Sequence, residues 1–161
     1  MISASLRWRV QRFDEMSKQE LYAILAAREA VFVVEQDCPY QDVDGKDDRA
    51  VHVSGWSEPA GLVAYARILP PGVRFAEPAI GRVLTTGEMR GGGLGRELMA
   101  RAVAATQDHF PGWPIRISAQ QYLEAFYREF GFETVRGPYP EDGIPHLEML
   151  RPAQSGTSRA G

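Results

Sequence analysis

Apolar residues in the N-terminal third follow first a strand pattern and then a helix pattern. Apolar and polar residues alternate over positions 6–11, which predicts a β-strand. Ser17 and Glu20 form a capping-box pair ahead of an apolar run, so we expect a helix to begin at this point. The run keeps helical spacing as far as Phe32, and residues 35–49 then break it. This part of the chain is predicted to fold as strand, helix and loop.

The rest of the chain alternates between the two patterns. Further strands are predicted over residues 50–56, 61–69, 79–85, 115–119, 132–136 and 146–150, and helices over residues 94–106 and 122–130. The Glu58-Pro59 and Pro70-Pro71-Gly72 segments are typical of turns. Gly131 is well placed as the C′ residue that ends the last helix. The order β-α-loop-β-β-β-α-β-α-β-β predicts an α/β fold of the α+β type.

Composition narrows the class of protein. The chain has 161 residues, enough for one domain, which we place at residues 1–152, with a disordered tail at 153–161. A formal net charge of -3 predicts no general attraction to nucleic acid or to anionic membranes. The one cysteine, Cys38, excludes an internal disulfide, and neither a signal peptide nor a membrane-spanning stretch is visible. We therefore expect a cytoplasmic protein.

The strongest motif is a run of glycines between a predicted strand and a predicted helix, Arg90-Gly91-Gly92-Gly93-Leu94-Gly95. Glycine N–H groups and a helix N-terminus together form a site for a phosphate or pyrophosphate. Arg90 and Arg96 place positive charge beside it. A flexible turn that merely starts a helix is the alternative. A Walker loop is excluded because Gly95 is followed by Arg96-Glu97, and the glycine spacing does not fit a dinucleotide fingerprint.

The spacing Arg-x-x-Gly-x-Gly, formed by Arg90, Gly93 and Gly95, resembles motif A of the GNAT superfamily, whose loop binds the pyrophosphate of coenzyme A. The segment 80–85 resembles the strand that precedes this loop in the family. The segment 126–132 is similar to the family's helix ending in Tyr-x-x-x-Gly-Phe.

Two further segments narrow the resemblance to the ElaA-like branch of this superfamily. They are residues 28–47, with Arg28-Glu29-Ala30-Val31-Phe32 and Asp42-x-Asp44-Gly45-x-Asp47, and Gly143-Ile144-Pro145-His146.

The resemblance implies the GNAT fold, a central mixed, mostly antiparallel sheet flanked by helices and splayed between the strand before the CoA loop and the following strand. It implies acetyl-CoA as the acyl donor and no metal. Tyr127 takes the position of the general acid that protonates the CoA sulfur, and a backbone N–H around Val83 and Leu84 that of the oxyanion donor. The residues expected to contact CoA are Val83, Leu84, Thr85, Arg90, Gly91, Gly92, Gly93, Leu94, Gly95, Arg96 and Gln120, where Gln120 replaces a common Asn.

The acceptor side is less defined. Many family members carry a carboxylate on the strand before the loop, but Arg82 occupies that region here. Glu35, His146 and Glu148 therefore remain open as the base. The acceptor-site candidates are Arg28, Glu35, Asp44, His146 and Glu148.

The charges near the N-terminus have alternative interpretations. Arg28 lies in an apolar helix stripe and needs a partner, so it either pairs with an aspartate of the 42–48 loop or orients the acceptor. The aspartates of that loop are either solvated or attract a cationic amine. A calcium loop is disfavoured because position 6 is Asp47 and position 12 is Val53.

These expectations add up to an N-acetyltransferase that acts on a primary amine of a small molecule or peptide. An acyl-homoserine-lactone-synthase-like acyltransferase and a non-catalytic acyl-CoA-sensing module are the alternatives. Cys38, His52 and His109 are assigned to structure. No nucleic-acid or membrane partner is expected, and the sequence leaves open whether the chain forms a homodimer.

Overall fold

The computed structural model describes residues 6–58, 60–86 and 92–154. Its helices are α1 (Lys18–Arg28), α2 (Leu94–His109) and α3 (Glu124–Arg128). Its strands are β1 (Arg7–Arg12), β2 (Val51–Ser57), β3 (Gly61–Leu69), β4 (Ala79–Thr85), β5 (Ile115–Gln120), β6 (Glu133–Glu141) and β7 (Ile144–Arg151). The order of elements is the predicted one.

The seven described strands form one sheet in the order β1-β2-β3-β4-β5-β7-β6. Every neighbouring pair is antiparallel except β4 and β5, which run parallel. The predicted mixed, mostly antiparallel sheet is therefore confirmed. Within the described residues β4 and β5 share a single pair, Ala79 with Arg116. How far the two strands splay beyond this pair stays a prediction.

Helices cover both faces of the sheet. Helix α1 begins at the predicted capping box, where Ser17 Oγ accepts from the Glu20 N–H at 3.0 Å and Glu20 Oε1 from the Ser17 N–H at 2.9 Å. It packs Ile24 against Tyr65 and Leu84. Helix α2 packs on the opposite face in the larger core. The described members of that core include Leu98, Met99, Ala102, Val53, Ala66, Ile117 and Leu147.

The first helix is less regular than its periodicity predicts. The α-helical geometry ends at Arg28, and a π-helical turn follows over Glu29–Glu35. The wider turn adds one residue per turn, and such turns are frequent at functional sites. At the other predicted helix end, Gly131 has φ +91°. The bonds Gly131 N–H to Arg128 O and Phe132 N–H to Tyr127 O, at 3.0 and 3.4 Å, make Gly131 the C′ residue as predicted.

The last two strands are longer than the sequence pattern predicts. The predicted strands 132–136 and 146–150 correspond to β6 and β7, which extend towards each other until only two residues separate them. Pro138 and Pro140 made the sequence pattern predict too short a strand, because proline has no N–H to donate to the hydrogen bonds of a sheet. Strand β6 tolerates both since it lies at the edge of the sheet.

Candidate active site

A cavity of about 510 Å³ is lined by both β4 and β5. Strand β4 lines it from Ala79 to Thr85, and β5 lines it from Ile117 to Gln120. Its other described lining residues include Phe32, Glu35, Cys38, Tyr40, Arg67, Arg74, Tyr122, Tyr127, Glu141, Asp142 and His146. The cavity is therefore lined by residues from the N-terminal third, the middle and the C-terminal third of the chain.

Strand β4 contains a bulge at the cavity wall. Tyr65 pairs with Leu84 and Arg67 pairs with Gly81, so β4 places three steps opposite two steps of β3. Arg82 lies within this interval and has φ +51°, a left-handed value that is uncommon for a residue other than glycine. A bulge of this kind leaves the extra residue unpaired and disrupts the ladder locally. The backbone of β4 thus departs from regular pairing next to the cavity.

Arg28 is fully buried and is held by the loop that follows α1. Its Nε donates to Asp42 Oδ2 at 2.8 Å and its Nη1 donates to Asp47 Oδ1 at 2.7 Å. Of the two interpretations of Arg28, the ion pair is the one present in the structure. Asp42 and Asp47 are themselves buried, so the interpretation of a solvated acidic loop is wrong for these two residues.

Two further arginines complete the same cluster and line the cavity. Arg67 donates to both carboxylate oxygens of Asp44, at 2.9 and 2.8 Å, and to Asp47 at 3.0 Å. Arg82 Nε lies 2.8 Å from Asp42 Oδ1, and Arg82 Nη2 lies 3.3 Å from Asp44 Oδ2. Three guanidinium groups thus face three carboxylates. Arg67 was not among the predicted site residues, although a charged residue inside an apolar strand signals that it needs a buried partner.

Burial and ion pairing act in opposite directions on these aspartates. Burial works to raise the pKa of Asp47, but the hydrogen bonds and charges of Arg28 and Arg67 outweigh it and lower that pKa below its usual range. The pKa of Asp44 is lowered in the same way, mainly by Arg67. At neutral pH the three negative charges of the aspartates therefore balance the three positive charges of the arginines.

The described part of the glycine loop forms the start of α2. Gly93 has φ +83° and is the N-cap of the helix. A Cβ atom at Gly92 or Gly93 would meet nothing within 4 Å, and one at Gly95 would meet only Phe126 Cζ, at 3.9 Å. Arg90 and Gly91 lie outside the described residues.

Two more of the predicted CoA contacts lie in the first turn of α2. The Arg96 guanidinium is hydrogen-bonded to Glu129, just beyond α3, at 2.9 and 3.2 Å. Leu94 is buried in the core at the start of α2. Neither Gly92 to Gly95 nor Arg96 is among the lining residues of the cavity.

Tyr127 lies between the core and the cavity. It is 7% exposed, packs at 5.2 Å from the Phe126 ring and lines the cavity wall. Burial raises the pKa of Tyr127 to about 12, with a smaller contribution from Tyr122. Its hydroxyl is therefore protonated at neutral pH, which is the state a general acid needs.

A polar cluster around Glu141 lies at the cavity wall. Ser118 Oγ donates to Glu141 Oε1 at 2.9 Å and lies 2.6 Å from Tyr139 Oη. Arg74 donates to the same Glu141 oxygen at 3.1 Å, and His146 Nε2 lies 3.9 Å from Glu141 Oε2. His146 was predicted, whereas the other four residues were missed. The signal for Ser118 was its place on the polar face of an alternating strand.

The remaining acceptor-site candidates lie at different depths. Glu35 is exposed and lines the cavity from the π-helical turn. Asp44 does not line the cavity but binds arginines that do. Glu148 is held by Arg116 at 2.8 Å and by Arg136 at 3.0 Å and does not line the cavity.

The residues assigned to structure also have defined surroundings. His52 is buried, with Nδ1 at 2.7 Å from the Tyr65 hydroxyl and Nε2 at 3.0 Å from the Asp47 carbonyl. Burial lowers the pKa of His52. Cys38 lines the cavity, with Sγ 3.6 Å from the Asp142 carbonyl oxygen.

In the part of the chain that the structure describes, no group of three or more His, Cys, Asp or Glu residues is arranged to hold a metal ion. Over the same ranges, no helix is both long and apolar enough to span a membrane.

The fold is that of an acyl-CoA-dependent transferase family. The model of the acetyltransferase (GNAT) domain family matches residues 12–151, and the chain belongs to that family. The protein ElaA of Escherichia coli K12 is 44% identical over 149 residues, which cover 91% of this chain and 96% of ElaA. The resemblance to the ElaA-like branch is thereby confirmed.

Solved structures agree with this assignment. The crystal structure of E. coli ElaA matches with a TM-score of 0.84 and 43% identity over 91% of this chain and 99% of that chain. An acyl-CoA N-acyltransferase from Pseudomonas aeruginosa matches with a TM-score of 0.87 and 42% identity, with the same coverage of 91% and 99%. A CoA-dependent acyl-homoserine lactone synthase, BjaI, has a TM-score of 0.75 at 16% identity over 94% of this chain and 85% of that chain. The last similarity is one of fold alone.

Proposed function

We propose that this protein transfers an acetyl group from acetyl-CoA to a primary amine of a small molecule or peptide by direct attack of the amine. The observation that carries the proposal is that Tyr127 and the bulged segment of β4 line the same cavity. Thioester aminolysis needs a proton donor for the departing thiolate and hydrogen-bond donors for the carbonyl oxygen as it becomes negatively charged. Tyr127 would supply the first, and backbone N–H groups beside the bulge the second.

The start of α2 supports a binding site for the CoA pyrophosphate. Gly95 lies within the helix, where glycine is unfavourable compared with alanine. The backbone conformation of Gly95 would allow a side chain, and a Cβ there would meet only Phe126, at an ordinary 3.9 Å. The fold alone therefore does not require glycine at this position. A ligand that approaches the first turn closely would explain the glycine, and the N–H groups of that turn favour a phosphate. For Arg96 to contact the phosphates, it would have to exchange its bonds to Glu129.

In the proposed reaction, the backbone of β4 and the side chain of Tyr127 have separate roles. Backbone N–H groups around Val83 and Leu84, next to the bulge, would donate to the carbonyl oxygen as it becomes negatively charged. The amine nitrogen forms the new C–N bond while the C–S bond breaks. Tyr127 gives its proton to the departing thiolate, and a proton of the amine replaces it. No residue forms a covalent intermediate.

Calorimetry with acetyl-CoA tests the donor, and a screen of primary amines with detection of the free thiol tests the transfer. We expect heat of binding and thiol release that depends on both substrates. Absence of acetyl-CoA binding would contradict the proposal. Transfer only from an acylated carrier protein would favour a lactone-synthase-like enzyme, and binding without transfer to any amine would favour an acyl-CoA-sensing module.

A further inference from the structure

The polar cluster at the acceptor side of the cavity contains a histidine whose neutral tautomer is fixed by a backbone carbonyl. His146 Nδ1 lies 2.7 Å from the carbonyl oxygen of Ile144. A carbonyl oxygen only accepts hydrogen bonds, so Nδ1 carries the hydrogen. In the neutral ring Nε2 then has a free electron pair. His146 is thus held in the tautomer in which Nε2 is the basic atom.

Nε2 faces a carboxylate rather than a donor. Glu141 Oε2 lies 3.9 Å from it, too far for a hydrogen bond and close to the spacing expected of two acceptors with no hydrogen between them. Glu141 is fixed by Ser118 and Arg74 through its other oxygen, Oε1. Because Ser118 uses its one hydrogen for Glu141, the Tyr139 hydroxyl must donate to Ser118, at 2.6 Å. Two fixed acceptors in a cavity wall form a site for a group with several hydrogens to donate.

His146 and Tyr127 approach the cavity from opposite faces of the sheet. His146 pairs in register with Gln120 of β5, and its neighbour Leu147 pairs with Ala119. Ala119 and Leu147 belong to the core beneath α2, as does Tyr127. Successive side chains of a strand point to opposite faces, so His146 lies on the other face. A base there and an acid at Tyr127 would act from the two sides of one reacting group.

The other two candidate bases are less suited. The Glu148 carboxylate is held by two arginines, Arg116 and Arg136, and does not line the cavity. Glu35 is exposed on the π-helical turn. His146 by contrast is 8% exposed and lines the cavity.

We propose that His146 is the general base of the reaction and that Glu141 binds the acceptor as an ammonium ion beside it. The inference rests on the acetyl transfer proposed above. His146 Nε2 takes one proton from the ammonium group, and the neutral amine attacks the thioester. The second proton lost by the nitrogen replaces the one that Tyr127 gives to the thiolate. The products are the N-acetyl amide, CoA with a free thiol, and one proton that His146 returns to solvent.

Two substitutions separate the roles. His146→Asn keeps a donor for the Ile144 carbonyl and removes the basic nitrogen, so we expect kcat to fall by about 10²-fold or more with an unchanged KM for acetyl-CoA. Glu141→Gln keeps the shape and removes the charge, so we expect the KM of the amine to rise by about 10-fold or more. His109→Asn is the matched control, because His109 Nδ1 also bonds a backbone carbonyl, that of Ala105 at 3.0 Å, outside the cavity.

The probes are acetyl-CoA with spermidine, tyramine and a peptide with a free N-terminus, and rates are measured from about pH 6 to 9. His146→Asn should change the shape of the pH–rate profile, and His109→Asn should leave it as in wild type. The titratable and charged groups placed around His146 are Glu141 and Tyr139 of β6, with Arg74 behind Glu141. A His146→Asn variant that retains more than about half of wild-type kcat overturns the inference while leaving the acetyl transfer standing.

A second measurement needs no acceptor. A long-range ¹H–¹⁵N spectrum of the protein alone reports which ring nitrogen of His146 carries the hydrogen, with His146→Asn used to assign the signal. We expect hydrogen on Nδ1 and none on Nε2 at alkaline pH. Hydrogen on Nε2 instead would overturn the inference whether or not any amine of the panel is acetylated. Failure to bind acetyl-CoA in calorimetry would be a different result, since it contradicts the transferase itself.

Discussion

Arg28 and Asp47 form an ion pair of 2.7 Å whose side chains are 0% and 9% exposed. The pair ties the end of α1 to the loop that precedes β2. Asp47 also binds Arg67 on β3, at 3.0 Å. One carboxylate therefore joins a helix and a strand that lie far apart in the sequence, behind the wall of the cavity.

Replacing Arg28 with methionine should destabilise the protein by roughly 3–5 kcal/mol, because it leaves Asp42 and Asp47 buried without their main partner. Urea unfolding followed by circular dichroism measures the change. Arg128→Met is the control, since Arg128 pairs with Glu124 at the surface and such pairs contribute less than about 1 kcal/mol. A loss at Arg28 no larger than at Arg128 would show that the buried pair is not a major source of stability.

Stability should depend on pH through Asp44. Its folded-state pKa is lowered, since burial, which would raise it, is outweighed by Arg67. The unfolded state therefore binds a proton first, and the stabilisation is complete above about pH 4 and is lost as the pH falls further. We expect Asp44→Asn to be less stable than wild type by a constant amount from about pH 7 to 5, and the difference to narrow from about pH 4 to 3. Urea midpoints at each pH test this, and a difference that widens in acid would contradict it.

Gly95→Ala should separate stability from CoA binding. A Cβ at this helical position meets only Phe126 at an ordinary distance, so alanine should stabilise the fold by about 0.4–1 kcal/mol. The same methyl group would project where the pyrophosphate is proposed to lie, so acetyl-CoA affinity should fall by about tenfold or more. Ala100→Gly on the exposed side of α2 should do the reverse, with lower stability and normal affinity. Calorimetry and thermal unfolding measure both effects, and unchanged affinity in Gly95→Ala would mean that the loop only starts a helix.

Tyr127→Phe should lower turnover by about 10²- to 10⁴-fold without raising the KM for acetyl-CoA. Phenylalanine keeps the ring contacts with Phe126 and Phe132 and removes the proton. Tyr122→Phe is the control, because Tyr122 also lines the cavity but is 78% exposed. Turnover above about half of the wild-type value, measured where chemistry limits the rate, would assign protonation of the thiolate to water or to another residue.

Local signals in the sequence were enough for most of the fold. The capping box at Ser17, the helical spacing of α2 and the turn at Gly131 are each set by residues within a few positions of one another. These features can be predicted from the sequence because the hydrogen bonds involved join residues that are close together in the chain.

The acceptor side of the site depends on contacts that are not local. Ser118 on β5 and Glu141 on β6 form a hydrogen bond because the sheet order β5-β7-β6 brings these two strands close together. The sequence pattern does not predict this strand order. Glu141 was also placed outside any strand, since Pro138 and Pro140 obscured β6. The bulge in β4 was not predicted for a similar reason. The alternation of residues within β4 does not show how many residues of β3 pair with it.

The bulge in β4 also has a consequence for insertions and deletions. Without Arg82, Gly81 and Leu84 would keep their partners Arg67 and Tyr65, and the ladder between β3 and β4 would be regular. The same deletion would remove one of three guanidinium groups from the charged cluster and leave Asp42 and Asp44 short of a cation. A single codon thus supplies both the irregular backbone beside the cavity and the charge that balances the loop behind it, so a one-residue deletion would remove the two together while the sheet kept its strand order.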